Sequence, residues 1–198
     1  MGRKVFLILI LVALAALAVV NIRIGKTNQT LTKSPPGGEQ VNAILPVEAS
    51  QLTSVDSPDG TKKLSMKTSK KSGQVTYSFS VSEREIFTAT VDSSTTFSIP
   101  LNTFSPDNKY VFLKEVGPSG ASFFALSATA SPNDQNDQTS NITNLFLAKY
   151  PDLKIGDVTG WGGINLIVIN SVNSDGSTGP SFWFGMPGHS LTQLSTRF

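Results

Sequence analysis

The sequence predicts a mostly β protein made of antiparallel sheets with one short helix, preceded by an N-terminal transmembrane helix. Three observations predict this class: an N-terminal apolar run, alternating apolar and polar residues over 75–82, and helical spacing of apolar residues after Asn141. The chain has 198 residues, no cysteine and one histidine. That composition excludes a disulfide scaffold, a cysteine zinc site and catalysis that needs several histidines.

The N-terminal apolar run covers residues 5–20 without interruption and extends through Ile22 to Ile24. From Val5 to Ile24, a helix rising about 1.5 Å per residue spans roughly 30 Å, the thickness of the hydrocarbon core. A cleaved signal peptide is the alternative, because small-x-small cleavage sites occur within residues 13–18. Those sites lie inside the apolar run rather than after it, which favours an uncleaved signal-anchor over residues 1–24.

The residues beside the run predict its orientation. Arg3 and Lys4 precede it, although basic residues also follow it and weaken the positive-inside argument. A four-residue tail is most simply left in the cytoplasm, so we expect membrane lipid to contact residues 5–24 and the C-terminal domain to lie outside. Secretion after signal cleavage is the alternative localisation.

The charge balance separates the anchor from the rest of the chain. Two of the 16 Lys and Arg residues lie before residue 21, and the remaining 14 equal the 14 Asp and Glu residues. Residues 21–198 therefore carry no net charge, and the sequence pI of 8.9 reflects the flank of the anchor. Because residues 21–198 have no net positive charge, the charge balance does not predict a nucleic-acid partner.

Residues 25–50 are interpreted as a flexible linker. They include Ser34-Pro35-Pro36-Gly37-Gly38 and few aromatic residues, a composition that cannot bury enough apolar surface to fold alone. Residues 43–47 are either a first short strand or a point where the linker docks. Residues 51–198 form the predicted extracytoplasmic β domain.

Short apolar or alternating runs predict the strands of this domain. They cover residues 75–82, 86–91, 97–101, 110–113, 123–126, 164–169 and 182–184. Turn signals separate them at Asp59-Gly60, Ser72-Gly73, Asp107-Asn108, Pro118-Ser119-Gly120, Asp175-Gly176 and Pro187-Gly188.

A single segment departs from the β pattern. After a polar stretch, apolar residues fall at helical spacing, with Ser140 or Asn141 as the N-cap and Pro151 as the stop. This pattern predicts one short helix over residues 142–149. Two of its side chains are expected to pack on the sheet: Leu145 and Phe146.

A weak internal repeat organises the strands. Ser57-Pro58-Asp59-Gly60 recurs 48 residues later as Ser105-Pro106-Asp107-Asn108, each copy followed by a strand-like segment. Proline starts such a turn, Asp bonds backbone N–H groups, and Gly or Asn tolerates the left-handed conformation. A third unit lacks this turn and begins at Thr159-Gly160-Trp161. A period of 40–50 residues with about four strands is typical of a propeller blade.

The segments at residues 57–64, 104–111 and 182–194 resemble WD40-like, TolB-type (PD40) β-propeller repeats. The resemblance covers most of residues 55–198. It implies about three antiparallel propeller-blade-like units and a role in extracytoplasmic protein interaction, and it carries over no catalytic residue. Because a ring normally needs 4–8 blades, three structures stay open: an open stack, a ring completed by association of chains, and a β-sandwich.

His189 is the candidate for an enzymatic alternative. A small extracytoplasmic hydrolase would use it as a general base, but no Gly-x-Ser-x-Gly elbow presents a nucleophile. It follows Pro187-Gly188, so a surface-turn residue is the expected role. The oxygen-rich residues at 133–137 lack the EF-hand register, and neither a metal nor a cofactor is predicted.

Five residues form the predicted binding surface: Trp161, Trp183, Lys62, Lys63 and Lys67. Trp161 stands among glycines, which let a ligand or another chain approach, and either tryptophan can stack on a sugar or peptide. The alternative for both tryptophans is a purely structural role as buried aromatic residues of the core. For the lysines, a solvated edge strand protected by lysine is the favoured interpretation, and contact with an anionic surface is the functional alternative.

The sequence therefore predicts a single-pass, membrane-anchored β domain that acts as a protein- or ligand-binding or structural module, not an enzyme. The expected partners are membrane lipid and an unidentified protein or envelope component, without nucleic acid. Two alternatives are kept: the small hydrolase, and a set of blades that completes a propeller by oligomerising.

Overall fold

Consecutive antiparallel strands build three four-stranded sheets in the computed structural model, which describes residues 50–129 and 139–197. The first sheet contains β1 (Gln51–Asp56), β2 (Lys63–Lys71), β3 (Gln74–Val81) and β4 (Arg84–Asp92). The middle sheet contains β5 (Thr96–Ser98), β6 (Tyr110–Gly117), β7 (Gly120–Ser127) and β8 (Thr139–Asn141). Helix α1 (Ile142–Lys149) leads to the third sheet, with β9 (Leu153–Gly163), β10 (Leu166–Asn173), β11 (Thr178–Gly185) and β12 (Ser190–Gln193).

Alternation of side chains along β3 shows why the chain forms these strands. Val75, Tyr77, Phe79 and Val81 are buried, and the serines and threonine between them are half-buried on the opposite face. A period of two is the geometry of a strand that buries one face. The predicted turn signals lie between consecutive strands, except that Gly120 is already the first residue of β7, and the mostly β, antiparallel prediction is confirmed.

The sheets are stacked, with the middle sheet covered on both faces. Val111 and Leu113 of β6 pack with the first sheet, whereas Phe112 between them packs with α1 and the third sheet. All three side chains are 0% exposed. A central sheet with one packed layer on each side differs from the two facing sheets of a sandwich, which was one of the open alternatives.

Helix α1 matches its prediction. The Asn141 side chain accepts a hydrogen bond from the Asn144 backbone N–H at 2.9 Å, as an N-cap does. Phe146 is fully buried and Leu145 packs beside it against the second core cluster, which joins the middle and third sheets. The helix ends at Lys149, two residues before Pro151.

Several elements differ from the sequence prediction. β5 ends at Ser98 rather than at residue 101, because Pro100 has no backbone N–H for a ladder and Leu101 is 89% exposed. The sequence does not predict β1, in which no residue is fully buried, or β8, which follows a polar stretch. Neither strand produces an apolar period-two signal, because no residue of β1 is buried and the one buried residue of β8 is a serine.

The outward face of the first sheet is lined by hydroxyl groups. Thr76 and Thr90 are hydrogen-bonded across β3 and β4 at 2.9 Å, and Thr88 donates to Ser78 at 3.2 Å. Two further serines continue the hydroxyl face, in cross-strand register on β2 and β3: Ser65 and Ser80.

Within residues 50–129 and 139–197, no helix is long and apolar enough to span a membrane. The predicted anchor and linker at residues 1–49 lie outside the described residues.

Candidate functional site

The two Ser-Pro-Asp turns share the hydrogen bonds of their serine and the backbone bond to their Asp, while the hydroxyl bond of Thr61 to Asp59 is replaced by an ion pair of Lys109 with Asp107. Ser57 Oγ donates to Asp59 Oδ1 at 2.7 Å and accepts from the Lys62 backbone N–H at 2.9 Å. In the second copy, Ser105 Oγ donates to Asp107 Oδ1 at 2.8 Å and accepts from the Tyr110 N–H at 3.0 Å. The fourth residues, Gly60 and Asn108, have φ of +70° and +56°. The repeat recognised in the sequence is therefore a repeat of structure.

A third turn of this kind occurs in a different hairpin. Asp175 Oδ1 accepts from the Ser177 backbone N–H at 2.8 Å and from its hydroxyl at 2.6 Å, as Asp59 does from Thr61. It joins β10 to β11, whereas the Ser-Pro-Asp turns join the first and second strands of their sheets. The sequence signal is Asp-Gly-Ser without the preceding Ser-Pro.

Hydrogen bonds keep these turn aspartates ionised. The Thr61 backbone N–H and the Ser57 and Thr61 hydroxyls hold the pKa of Asp59 well below its usual value. Burial raises the pKa of Asp107, but hydrogen bonds from Ser105 and Lys109 outweigh it and the pKa is lowered. The Ser177 hydroxyl and N–H lower the pKa of Asp175.

Neighbouring repeats contact each other through one equivalent position. Lys62 follows the first turn, and its Nζ donates to the backbone carbonyl of Asn108 in the second turn at 2.8 Å. The residue 48 positions later is Tyr110, whose ring stacks on Trp161 with centroids 6.1 Å apart and planes 24° apart. Trp161 of the third sheet is therefore the partner of this position in the middle sheet, as Asn108 is in the first.

A groove of about 370 Å³ lies where the turns of the first and middle sheets meet β9 and β10 of the third. We call it the turn groove. Its lining consists of Pro58, Asn102, Phe104, Pro106, Thr159, Gly160, Trp161 and Val168. The two prolines occupy the same position in the two repeats, and no lining side chain carries a charge. The groove can therefore accept an uncharged ligand in a cleft with aromatic, apolar and a few polar groups.

Trp161 is held in place by its neighbours. Its indole N–H donates to the Thr103 carbonyl at 3.0 Å, and its ring contacts Phe112 edge-on at 6.4 Å. The ring is half-buried and packs against the second core cluster. Next to it, a Cβ on Gly160 would stand 3.1 Å from Asn102 Cβ, so the glycine lets the β5–β6 loop approach the strand.

Trp183 lies on the face of the third sheet that points away from the middle sheet. Phe182 and Phe184 on either side of it point into the second core cluster. A Cβ on Gly162 would be 3.2 Å from Trp183 Nε1 and 3.1 Å from Val168 Cγ2, so the indole lies over the backbone of β9. The half-buried ring is therefore presented on a sheet face, outside the turn groove.

The three predicted lysines have different roles in the first sheet. Lys62 is engaged with Asn108, and Lys63 pairs with Asp56 at 3.3 Å across β1 and β2, with both side chains more than half exposed. Lys67 is exposed on the hydroxyl face. The exposed ion pair between Lys63 and Asp56 contributes about 0–1 kcal/mol to the stability of the fold. Of the five predicted residues, the structure places only Trp161 in the turn groove.

His189 forms a hydrogen bond that sequence reasoning missed. Its Nε2 lies 2.6 Å from Ser140 Oγ, 49 residues away, and its ring stacks on Phe184. His189 is exposed with φ of +53°, as expected for a turn residue, while Ser140 is 4% exposed. The contact ties the strand before α1 to the β11–β12 hairpin.

Among the described residues, no three His, Cys, Asp or Glu side chains are grouped so that they can hold a metal ion. The oxygen-rich residues 133–137 lie outside the described residues.

No protein-family model, no curated protein and no solved structure matches this chain. Functional inference for it therefore depends on its own residues and geometry.

Proposed function

We propose that the chain is a single-pass membrane protein that displays a binding module outside the cytoplasm, and that the module binds its partner in the turn groove. The apolar run at residues 5–24 supports the anchor, and Arg3 and Lys4 before it support a cytoplasmic N-terminal side. The turn groove is the observation that carries the binding function, because parts of the first, middle and third sheets converge on one uncharged cleft.

The sheets are propeller-blade-like in this proposal. Each contains four antiparallel strands in sequence order, and the first two share the Ser-Pro-Asp turn with the same serine hydrogen bonds. These features support the resemblance to TolB-type repeats, whose role in protein interaction fits a module of this kind.

We favour an open stack over a ring completed by a second chain. Closing a ring would bury the hydroxyl face and the exposed Lys67 side chain on it. Burying a charged group without a partner is strongly unfavourable, whereas the hydroxyl face is well suited to water. Completion of the ring by association stays the alternative, and a mass measurement in solution distinguishes the two.

The absence of cysteine makes the topology directly testable. Ser174 is an exposed residue of the β10–β11 turn, so a Ser174→Cys chain should react with a membrane-impermeant maleimide in intact cells. The matched control, Gly2→Cys, should react only after permeabilisation. Labelling of Gly2→Cys but not Ser174→Cys in intact cells would refute the orientation, and the intact mass shows whether the anchor is retained.

Binding in the turn groove is tested by site-specific photocrosslinking in the same cells. Thr159 is an exposed residue of the groove wall, and Thr192 is an exposed strand threonine away from it. A benzoylphenylalanine at position 159 should form one discrete adduct, and the same probe at position 192 should not. Equal adducts from both positions, or none from position 159, would contradict binding in the groove.

Hydrolysis at Ser140 is the second candidate function, because its hydroxyl lies 2.6 Å from His189 Nε2. In that mechanism His189 accepts the hydroxyl proton while Ser140 attacks an acyl carbonyl. A fluorophosphonate probe should then label Ser140 in the unsubstituted chain and not in His189→Gln. Absence of labelling in the unsubstituted chain removes this candidate, and the 4% exposure of Ser140 favours that result.

A further inference from the structure

We propose that the turn groove binds a neutral glycan strand, which lies between the rings of Trp161 and Trp183. The proposal rests on the groove being the binding site of the chain, and it adds the chemical class of the ligand. It starts from the strand registers of the third sheet, which place Trp183 on the face where the groove ends.

A row of paired residues connects the groove to Trp183. Gly160 of β9 is in register with Val168 of β10, and Val168 is in register with Trp183 of β11. Residues directly opposite each other on antiparallel strands point to the same face, about 5 Å apart. Gly160 and Val168 line the groove, so Trp183 lies on the same face, one strand beyond Val168.

The indole of Trp183 leans from β11 back toward the groove. Its Nε1 lies 3.2 Å from the position of a Cβ on Gly162, which is an exposed residue of β9. In the part of the chain that the structure describes, nothing accepts a hydrogen bond from this N–H and no aromatic ring packs on the indole. An indole N–H usually has a partner when it is buried, so this half-buried ring offers a ligand both aromatic surface and a free donor.

The groove also offers groups that both donate and accept hydrogen bonds. Asn102 and Thr159 are exposed on its wall, and their side chains have no hydrogen-bond partner within residues 50–129 and 139–197. An amide and a hydroxyl can each donate and accept, as the hydroxyl groups of a sugar do. A proline-rich peptide offers mainly carbonyl acceptors, so it would leave the acceptors of the groove unused.

The two tryptophans fit the C–H faces of sugar rings. Trp161 is held by the ring of Tyr110 and by its bond to the Thr103 carbonyl, so little side-chain entropy remains to be lost on binding. No charged side chain lines the groove, and the row that leads to Trp183 contains none. A charged glycan would lose hydration there without gaining a partner, which favours a neutral one.

The test is a calorimetric titration of the full chain, in a detergent without a sugar head group, with the neutral strands cellohexaose and chitohexaose. At least one of them should bind with a Kd below about 1 mM. Trp183→Ala should weaken this binding about tenfold, as loss of one flat ring from an aromatic platform does. Thr159→Val removes only a hydroxyl group and should weaken it about fivefold, while the matched control Thr192→Val should not change it.

Saturation-transfer NMR on the unsubstituted chain keeps the proposal falsifiable if Trp183→Ala fails to fold. Saturation of the aromatic protons should reach the ring C–H protons of the bound glycan most strongly, because these stack on the indoles. A polyproline peptide should not displace the glycan. The urea midpoint of each variant shows whether it is folded.

Binding of neither glycan strand to the folded chain would overturn the proposal. So would binding that Trp183→Ala and Thr159→Val leave unchanged, because the glycan would then lie elsewhere. Binding of the polyproline peptide in place of the glycan would assign the groove to a peptide and would overturn the proposal as well. None of these results removes a discrete adduct with a partner protein at position 159, so failure of glycan binding is distinguishable from failure of the binding function.

Discussion

Ser105→Ala is the sharpest test of the repeated turn. The side chain is 0% exposed, and its hydroxyl both donates to Asp107 and accepts from the Tyr110 backbone N–H. Each lost hydrogen bond costs about 1 kcal/mol, so the free energy of unfolding should fall by about 2 kcal/mol. Ser57→Ala removes the same two bonds in the first sheet and should have a similar effect.

The assay is urea unfolding of the full chain in detergent, followed by tryptophan fluorescence. With an m-value of about 2 kcal/mol/M, the expected loss lowers the midpoint by about 1 M. Ser174→Ala is the matched control: it lies in the third turn at the position of Pro58, is exposed, and should change the free energy by less than about 0.5 kcal/mol. A Ser105→Ala midpoint within error of this control would refute the view that the turn bonds stabilise the fold.

Three further predictions concern the turns, the core and the packing of Trp183. Asp59, Asp107 and Asp175 have pKa values in the folded protein that lie below the value near 4 of an unfolded chain. The stabilisation that these ionised carboxylates give the fold is therefore present above about pH 4 and is lost as the pH falls through the folded pKa values. An unchanged urea midpoint between pH 6 and pH 2 would contradict this prediction. Ile167→Val, in the fully buried core, should lower the free energy of unfolding by about 1 kcal/mol, while Ile164→Val, 59% exposed, should not, and equal effects would exclude the described burial. Gly162→Ala should destabilise by about 1–2 kcal/mol through overpacking and shift Trp183 fluorescence, whereas Gly188→Ala, with open space at its Cβ, should do neither; a silent Gly162→Ala would show that the indole does not lie over β9.

Features encoded within a few residues are predictable from the sequence. The Ser-Pro-Asp turns close their hydrogen bonds within six positions, and α1 is bounded by Asn141 and Pro151. Both are correct in the sequence analysis because proline, Asp and an N-cap act on adjacent backbone. The predicted strands likewise follow from local patterns, which are period-two alternation at residues 75–82 and short apolar runs such as 110–113.

The candidate site depends on contacts between distant segments, which local patterns do not contain. Trp161 reaches the Thr103 carbonyl across 58 positions, and Ser140 meets His189 across 49. Composition around Trp161 indicated a close approach at the glycines, but not that two equivalent prolines from other sheets would face the same groove. Asn102 carried no signal, because its place on the groove wall depends on the loop that packs against Gly160.

The double coverage of the middle sheet has a consequence for how the domain unfolds. Repeat arrays that pack only through neighbours can often fray or be shortened from one end. Here a single strand, β6, directs Val111 and Leu113 to one side and Phe112 to the other. Loss of either outer sheet would expose one whole face of this apolar strand to water, so the layers depend on each other and should melt together rather than one at a time. Amide hydrogens of β6 and β7 would then exchange only through global opening, and a chain truncated by one outer sheet would not be a smaller version of the same domain.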